Sequence, residues 1–137
     1  MDITGASGAI PKSDTKRRDA HAERYYNEIR KRSSDIDEIA RNTGLPRDDV
    51  EKIKNHLFNN KYDLGGPEPQ TFDTDYNIAI SWQRLIDGKG IQEMDKVLLN
   101  HELLEHELMN EQKMPYAEAH RIAHQKHNYM IHTDWKD

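Results

Sequence analysis

The stretch QEMDKVLLNHELLEHELMN, residues 92–110, decides the fold of this chain. Its apolar residues recur at alternating steps of three and four, which is typical of a helix that buries one face. The apolar residues of this stripe are Met94, Val97, Leu104 and Leu108. A long helix with such a stripe has to pack against neighbouring helices, and the segment therefore predicts a helical bundle.

Two polar residues interrupt the apolar stripe of this helix. His101 falls on the stripe, and Glu105 lies one turn later at its border, whereas Glu102 and His106 are predicted to point to the flanks. Burying an imidazole and a carboxylate beside leucines is costly unless each is hydrogen-bonded, paired or bound to a metal. The spacing predicts that the side chains of His101 and Glu105 can contact the same bound group.

Further helices are predicted on the same grounds, and no segment alternates like a strand. They span approximately residues 17–32, 35–43, 46–60, 75–88 and 115–128. Asp73 or Thr74 is predicted to cap the fourth helix, because such side chains accept hydrogen bonds from free N–H groups. A loop rich in glycine and proline, residues 63–71, divides the chain. The sequence thus predicts an all-α, compact bundle of about six helices.

Length and composition predict one small, soluble domain. Residues 1–16 are rich in glycine, serine, aspartate and lysine and are predicted to be a flexible linker or tail, which leaves residues 17–137 for the helical domain. Hydrophobic residues make up 34% of the chain and charged residues 33%, which suits amphipathic helices around a thin core. No apolar window is long enough to cross a membrane, so no membrane partner is expected. With 0 cysteines, any metal must be held by His, Asp or Glu.

The second and third predicted helices match the spacing of a helix-turn-helix pair. Ala40 stands where the helices approach, Gly44 at the turn, and Val50 and Ile53 at packing positions. Those residues specify only how two helices cross, whereas DNA reading requires basic and amide side chains on the exposed face of the second helix. That face is mainly acidic near its start, which favours a structural pair over a DNA-reading one.

A histidine on the last predicted helix extends the candidate site. The short connection before that helix makes it an antiparallel neighbour of residues 92–110, which brings His120 towards His101 and Glu105. His56, near the end of the third helix, is a possible further member. These residues could supply two or three ligands for a divalent metal such as zinc, or an acid/base pair with a carboxylate that orients it.

The spacing of these residues limits what kind of enzyme they indicate. HELLE, residues 101–105, is not the zinc-protease motif HExxH, because Glu105 stands where the second histidine belongs. The inverted HxxEH spacing is not met either. The non-catalytic interpretation is that His101 hydrogen-bonds Glu105 in a polar seam of the core, while the remaining histidines are surface residues in a histidine-rich tail. Asp73 is then a helix cap, Trp82 a core residue and Arg84 the partner of an acid.

An ordered set of short motifs resembles one class of phage protein. IKNHLF (53–58), FDTDYNIAISWQRL (72–85), HELLE (101–105), YAEAH (116–120) and HNY (127–129) occur in this order. Together they resemble a domain at the C-terminus of phage minor head proteins of the head-morphogenesis class, and similar modules look like the tips of bacterial polymorphic toxins. The resemblance covers roughly residues 17–130 and carries over His56, Asp73, Asp75, Trp82, Arg84, His101, Glu102, Glu105, His120, Asn128 and Tyr129.

The resemblance implies a toxin or effector hydrolase, with nuclease the commonest class. It implies a module of a larger chain, virion-associated or delivered into a bacterial cytoplasm, with nucleic acid as a substrate and an immunity protein as a partner. In a nuclease without metal, His101 would be the base, His120 or His56 the acid, and Glu105 the orienting carboxylate. Such an enzyme also needs positive donors for the developing charge.

Three hypotheses about function follow. The first is a toxin-like hydrolase, with a nuclease favoured, in which Arg84 and Lys54 would have to supply the positive charge. The second is a metal-dependent hydrolase on His101, Glu105 and His120. The third is a non-catalytic binding module of a phage or secreted assembly, with the helix-turn-helix-like pair as its surface.

Overall fold

The structure, a computed structural model, describes residues 13–128. Within this range the chain forms six α-helices, and the third continues into a π-helical turn. The elements are α1 (Thr15–Lys31), α2 (Asp35–Thr43), α3 (Arg47–Lys54), the π-helical turn (Asn55–Asn59), α4 (Tyr76–Asp87), α5 (Glu93–Asn110) and α6 (Tyr116–Lys126). Residues 13–128 contain no strand, and an isolated bridge between Tyr62 and Gln70 tightens the central loop. The predicted all-α bundle of six helices is confirmed.

Helix ends differ from the sequence prediction at two places. Asp14 caps α1 by accepting a hydrogen bond from the backbone N–H of Arg17 at 3.1 Å, so the helix starts two residues earlier than expected. Most of the predicted linker, residues 1–12, lies outside the described residues. The expectation that Asp73 or Thr74 caps α4 is wrong, because Asp75 has the extended backbone of a cap and accepts from the N–H of Ile78.

The core lies where α1, α2, α3 and α4 meet. Trp82 of α4 is fully buried, and Phe58 packs edge-on against it with the ring centres 5.1 Å apart. Tyr26 of α1 also packs edge-on against Phe58, with the ring centres 4.7 Å apart. Aromatic pairs of this geometry stabilise a core beyond their buried area. The predicted packing residues Val50 and Ile53 and the predicted core residue Trp82 are confirmed as buried, and the buried residues of these helices also include Tyr25, Tyr26, Ile29, Leu57, Leu85 and Ile86.

Helix α5 is buried over a wider arc than its apolar stripe predicts. It packs against α6 on one side and against α3 and α4 on the other. The prediction that Glu102 points to a flank is wrong, because its exposed fraction is only 7%. Val97 and Leu104 of the stripe are only partly buried. A helix with neighbours on several sides buries residues beyond one stripe, and here these include the apolar Leu98 and Leu99 and the polar Asp95 and Glu102.

Two buried carboxylates tie the helices together. Asp35 of α2 accepts hydrogen bonds from Lys54 Nζ at 2.9 Å and from Trp82 Nε1 at 3.1 Å. Asp95 of α5 pairs with Arg84 of α4, whose Nη2 lies 2.7 Å from Asp95 Oδ1. The prediction that Arg84 pairs with an acid is confirmed. Both carboxylates are completely buried, so these pairs fix how the helices cross.

Helix α4 ends at a glycine that makes a close contact. Gly88 has a φ of 70°, and a Cβ atom there would meet the side chain of Asn42 at 2.9 Å. Asn42 Nδ2 donates to the carbonyl oxygens of Leu85 at 2.8 Å and Ile86 at 3.0 Å, which would otherwise be free at the helix end. Gly44 ends α2 with a φ of 80°. A Cβ atom added at Gly44 would meet no other atom within 4 Å.

Replacing Gly88 with alanine is therefore expected to destabilise the fold more than replacing Gly44 with alanine. Both variants bear the cost of a left-handed backbone, about 1 kcal/mol. Gly88→Ala also displaces Asn42 and breaks its bonds to the helix end, which costs about 1 kcal/mol more. Urea denaturation followed by helical circular dichroism measures both values. Equal losses in the two variants would contradict the role given to Asn42.

No α-helix between residues 13 and 128 has the length and apolar character that a membrane crossing requires.

Candidate functional site

Three histidines from three different elements meet at one carboxylate, that of Glu105 on α5. His56 comes from the π-helical turn, and its Nε2 lies 2.7 Å from Glu105 Oε1. His101 lies one helical turn before Glu105, with its Nε2 3.3 Å from Oε2. His120 of α6 places its Nδ1 2.9 Å from the same oxygen, Oε2. The predicted meeting of His101, Glu105 and His120 is confirmed, and so is the membership of His56.

The π-helical turn determines where His56 lies. The backbone N–H of Asn60 donates to the carbonyl oxygen of Asn55 at 2.7 Å, which is the wide hydrogen bond of this geometry. His56, Leu57 and Phe58 are all buried in this turn, with exposed fractions of 0%, 3% and 0%. Phe58 enters the core while His56 reaches Glu105. The non-catalytic interpretation, which put His56 on the surface, is wrong on this point.

Glu102 is the fifth member of the cluster. Its carboxylate oxygens lie 3.6 Å from His56 Nε2 and 3.8 Å from His101 Nε2, both beyond ordinary hydrogen-bond distance. The residue is nevertheless almost completely buried. Within residues 13–128 its carboxylate therefore has histidines nearby but makes no close hydrogen bond to them. A buried polar group of this kind is suited to bind something from the cleft.

The cluster opens into a cleft of about 430 Å³ between α5, α6 and the central loop. One part of its wall is apolar or aromatic, formed by Tyr26, Leu57, Leu64, Phe72, Ile78 and Tyr116. The polar part consists of Gln70, Asp73, Asp75, His101, Glu102, Glu105, His120 and His124. None of these lining residues is a lysine or an arginine. The cleft is therefore acidic, with one apolar wall.

The two glutamates have opposite tendencies to hold a proton. Burial disfavours the charged form of Glu105, but hydrogen bonds from His101 and His56 outweigh it and hold the pKa of Glu105 below its usual range. Burial, and then the negative charge of Glu105, raises the pKa of Glu102. Two carboxylates this close are not ionised together as readily as separate ones. Glu105 is the ionised member, and Glu102 keeps a proton to a higher pH.

His101 is oriented by a backbone carbonyl. Its Nδ1 donates to the carbonyl oxygen of His127 at 3.0 Å, so Nε2 is the nitrogen that faces Glu105. Burial lowers the pKa of His101, but the hydrogen bond to Glu105 and the charge of Glu102 raise it to about 9. Without a metal, His101 is therefore protonated near neutral pH and cannot act there as a base.

Two sets of side chains in the cluster have the spacing of metal ligands. One is His101, Glu105 and His120, and the other is His56, Glu102 and Glu105. In each set the ligand atoms all lie within 4.8 Å of one another. Imidazole nitrogens and carboxylate oxygens are the ligands that zinc takes in a protein without cysteine. The described residues thus contain His/Glu groups that could hold a metal ion.

The positive donors expected for a nuclease lie elsewhere. Lys54 Nζ donates to Asp35 and to the carbonyl oxygen of Arg32 at 2.7 Å, and Arg84 is paired with Asp95. Neither residue lines the cleft. The expectation that Lys54 and Arg84 serve the site is therefore wrong, because each neutralises a buried carboxylate of the core.

Several neighbours of the site had no signal in the sequence. Tyr62 contacts His56 with its hydroxyl 2.8 Å from Nδ1, and Asn110 Nδ2 lies 3.0 Å from the same hydroxyl. Asp75, which the resemblance does indicate, lines the cleft and also caps α4. No periodicity indicates which residues of a loop approach a helix. Tyr129, named in the HNY motif, lies outside the described residues.

In the helix-turn-helix-like pair, α2 and α3, the arginine at the start of the second helix is already paired with acids. Arg47 at the start of α3 donates from Nε to Asp37 at 2.7 Å and lies 3.5 Å from Glu51. A guanidinium held between two carboxylates is a poor phosphate donor. The structure therefore supports a nucleic-acid-binding function of this surface less well than it supports a catalytic function of the cleft.

Comparison with protein-family models, with characterised proteins and with solved structures finds no match to this chain.

Proposed function

We propose that this chain is a metal-dependent hydrolase whose divalent cation is held by His101, Glu105 and His120. The observation that carries the proposal is that one oxygen, Glu105 Oε2, lies 3.3 Å from His101 Nε2 and 2.9 Å from His120 Nδ1. Two imidazoles and one carboxylate are a ligand set of catalytic zinc sites, which keep a further position for water. Here the three side chains that would hold the ion all line the cleft.

The surroundings of the ligands support this proposal. Histidines that bind metals usually donate their other ring N–H to a carbonyl or carboxylate, which fixes the ring and leaves the ligating nitrogen free. His101 does this through Nδ1 and the carbonyl oxygen of His127. A cation at Nε2 would replace the proton that His101 otherwise holds. The buried, ionised Glu105 supplies negative charge for the cation.

Glu102 is proposed to move the proton in the reaction. A bound zinc ion lowers the pKa of its water to about 7, which yields a nucleophile near neutral pH. Glu102 lies beside the ligands, with one carboxylate oxygen 3.8 Å from His101 Nε2. The charge of Glu105 contributes to the raised pKa of Glu102, so a cation held by Glu105 would offset part of that effect, and an ionised Glu102 could then take a proton from water and return it to the leaving group. Glu102 therefore has the role of acid/base, and His101 that of ligand.

The charge of the cleft favours an uncharged or positively charged substrate with an ester or amide bond. Asp73, Asp75 and Glu105 line the cleft, and the lining contains no lysine or arginine among the described residues. A nucleic acid, with one charge per phosphate, would be repelled unless cations screened the site. The metal-free nuclease receives less support, because His101 is protonated and the positive donors are absent from the cleft.

The resemblance to modules of phage minor head proteins and polymorphic toxins supports action inside a bacterial cell. On this proposal the chain is delivered as part of a larger protein, and an immunity protein that covers the cleft protects the producing cell. Because the lining of the cleft is acidic, an immunity protein that covers it would present basic side chains.

Protein purified without an affinity tag is expected to contain about one equivalent of zinc, measured by elemental analysis. His120→Ala should remove this zinc, because the substitution deletes a ligand. His124→Ala is the matched control, since His124 also lines the cleft but does not belong to either ligand set. Absence of bound metal in the parent, or equal zinc content in the two variants, would refute the proposed site.

A further inference from the structure

A chain of hydrogen bonds runs from Tyr62 in the central loop through His56 to Oε1 of Glu105. The side-chain amides of Asn60 and Asn110 each lie 3.0 Å from the hydroxyl oxygen of Tyr62, with Nδ2 as the donor. The Tyr62 hydroxyl lies 2.8 Å from His56 Nδ1. His56 Nε2 in turn lies 2.7 Å from Glu105 Oε1. Each link has the length of a good hydrogen bond.

The donors of this chain determine the direction in which Tyr62 gives its proton. The hydroxyl oxygen accepts two N–H bonds, so its own proton has to go to the remaining neighbour, His56 Nδ1. The orientation of the Asn110 amide is supported separately, because the same nitrogen donates to the carbonyl oxygen of His106 at 2.8 Å. Since Nδ1 of His56 accepts a proton, the ring's own N–H is Nε2, which faces Glu105.

We infer that His56 is a positioning residue, which donates from Nε2 to Glu105 Oε1 and so turns Oε2 towards His101 and His120. This inference rests on the proposed function, in which Oε2 is a metal ligand. A nitrogen that carries a proton has no lone pair for a cation. The set of His56, Glu102 and Glu105 therefore does not form a second metal site, although its spacing would permit one.

The contrast with His101 supports this assignment. His101 donates from Nδ1 to a backbone carbonyl, which leaves Nε2 as its ligating nitrogen. His56 accepts at Nδ1, which leaves Nε2 as its donor. Both rings present Nε2 to the same carboxylate, but their outer partners give them opposite roles. His56 and Glu105 are almost completely buried, so little water competes for this hydrogen bond.

Nitrogen NMR of the metal-free full chain tests the assignment directly. We expect the His56 ring to show a protonated Nε2 and an unprotonated Nδ1, and Tyr62→Phe to weaken that preference. The opposite tautomer in the parent protein would overturn the inference. This measurement requires no metal, so it judges the hydrogen-bond chain even if the protein binds no zinc and the proposed function fails.

Zinc titration of three variants separates a positioning residue from a ligand. We expect Tyr62→Phe and His56→Ala to weaken zinc binding about 10-fold to 100-fold while about one equivalent still binds. His56→Gln should recover part of the affinity, because its amide can still donate to Glu105. Two equivalents in the parent with one in His56→Ala would show that His56 is a ligand. Unchanged affinity in Tyr62→Phe and His56→Ala would also overturn the inference, and circular dichroism checks that each variant is folded.

Discussion

Glu105→Gln is expected to abolish zinc binding and hydrolysis together. Glu105 is the only residue that lies within hydrogen-bond distance of all three site histidines in the described part of the chain. Its glutamine variant has the same shape but lacks the charge that holds a cation. We expect zinc affinity to fall at least about 100-fold, since even the loss of an outer partner of a ligand costs up to that much.

Glu102→Gln is the matched comparison, because the two glutamates are neighbours on one helix and both are buried. Glu102 is the proposed acid/base and not a ligand, so this variant should keep about one equivalent of zinc. Its hydrolysis of neutral ester and amide substrates should fall about 100-fold to 10,000-fold, the usual contribution of a positioned acid or base.

Growth of a bacterium that expresses each form gives a second readout. If the chain acts as a toxin, the parent should inhibit growth, and both glutamate variants should lose this effect. Equal inhibition by the parent and Glu105→Gln would show that the toxicity does not come from the cleft. Zinc retained by Glu105→Gln at the parent affinity would contradict the ligand set itself.

The helical pattern predicted the fold and the centre of the site for a physical reason. Helices have a fixed period, so the apolar stripe of residues 92–110 identified His101 as an inward-facing residue before any neighbour was known. The short connection to α6 was sufficient to bring His120 to Glu105, because helices joined in this way lie side by side. In the structure, His120 Nδ1 lies 2.9 Å from Glu105 Oε2.

The rest of the site depends on contacts that periodicity does not encode. Glu102 is buried because α5 has neighbours on several sides, and a single helix does not show how many neighbours it will have. Tyr62 reaches His56 from an irregular loop, whose path depends on the bridge between Tyr62 and Gln70. Lys54 looked like a free cation in the sequence because its partner, Asp35, lies on another helix.

Asp35→Ala is expected to cause the largest loss of stability of any substitution discussed for this protein. Asp35 is completely buried and accepts hydrogen bonds from Lys54, from Trp82 and from the backbone N–H of Ile36 at 3.0 Å. Without it, the ammonium group of Lys54 stays buried with no counter-charge, which costs about 3–5 kcal/mol. A small domain is stable by only about 5–15 kcal/mol, so the variant should be partly unfolded at 37 °C.

A double variant distinguishes the cost of a lone charge from the value of the ion pair. Asp35→Asn with Lys54→Met removes both charges while it keeps an acceptor for the Trp82 N–H. Replacing a buried ion pair by neutral groups of similar volume is often nearly neutral, so the double variant should be clearly more stable than Asp35→Ala. Asp37→Ala is the control, because the Asp37–Arg47 pair is as short, at 2.7 Å, but largely exposed, and its loss should hardly change the urea midpoint. If the double variant were as unstable as Asp35→Ala, the instability would come from lost packing and not from the unpaired ammonium group.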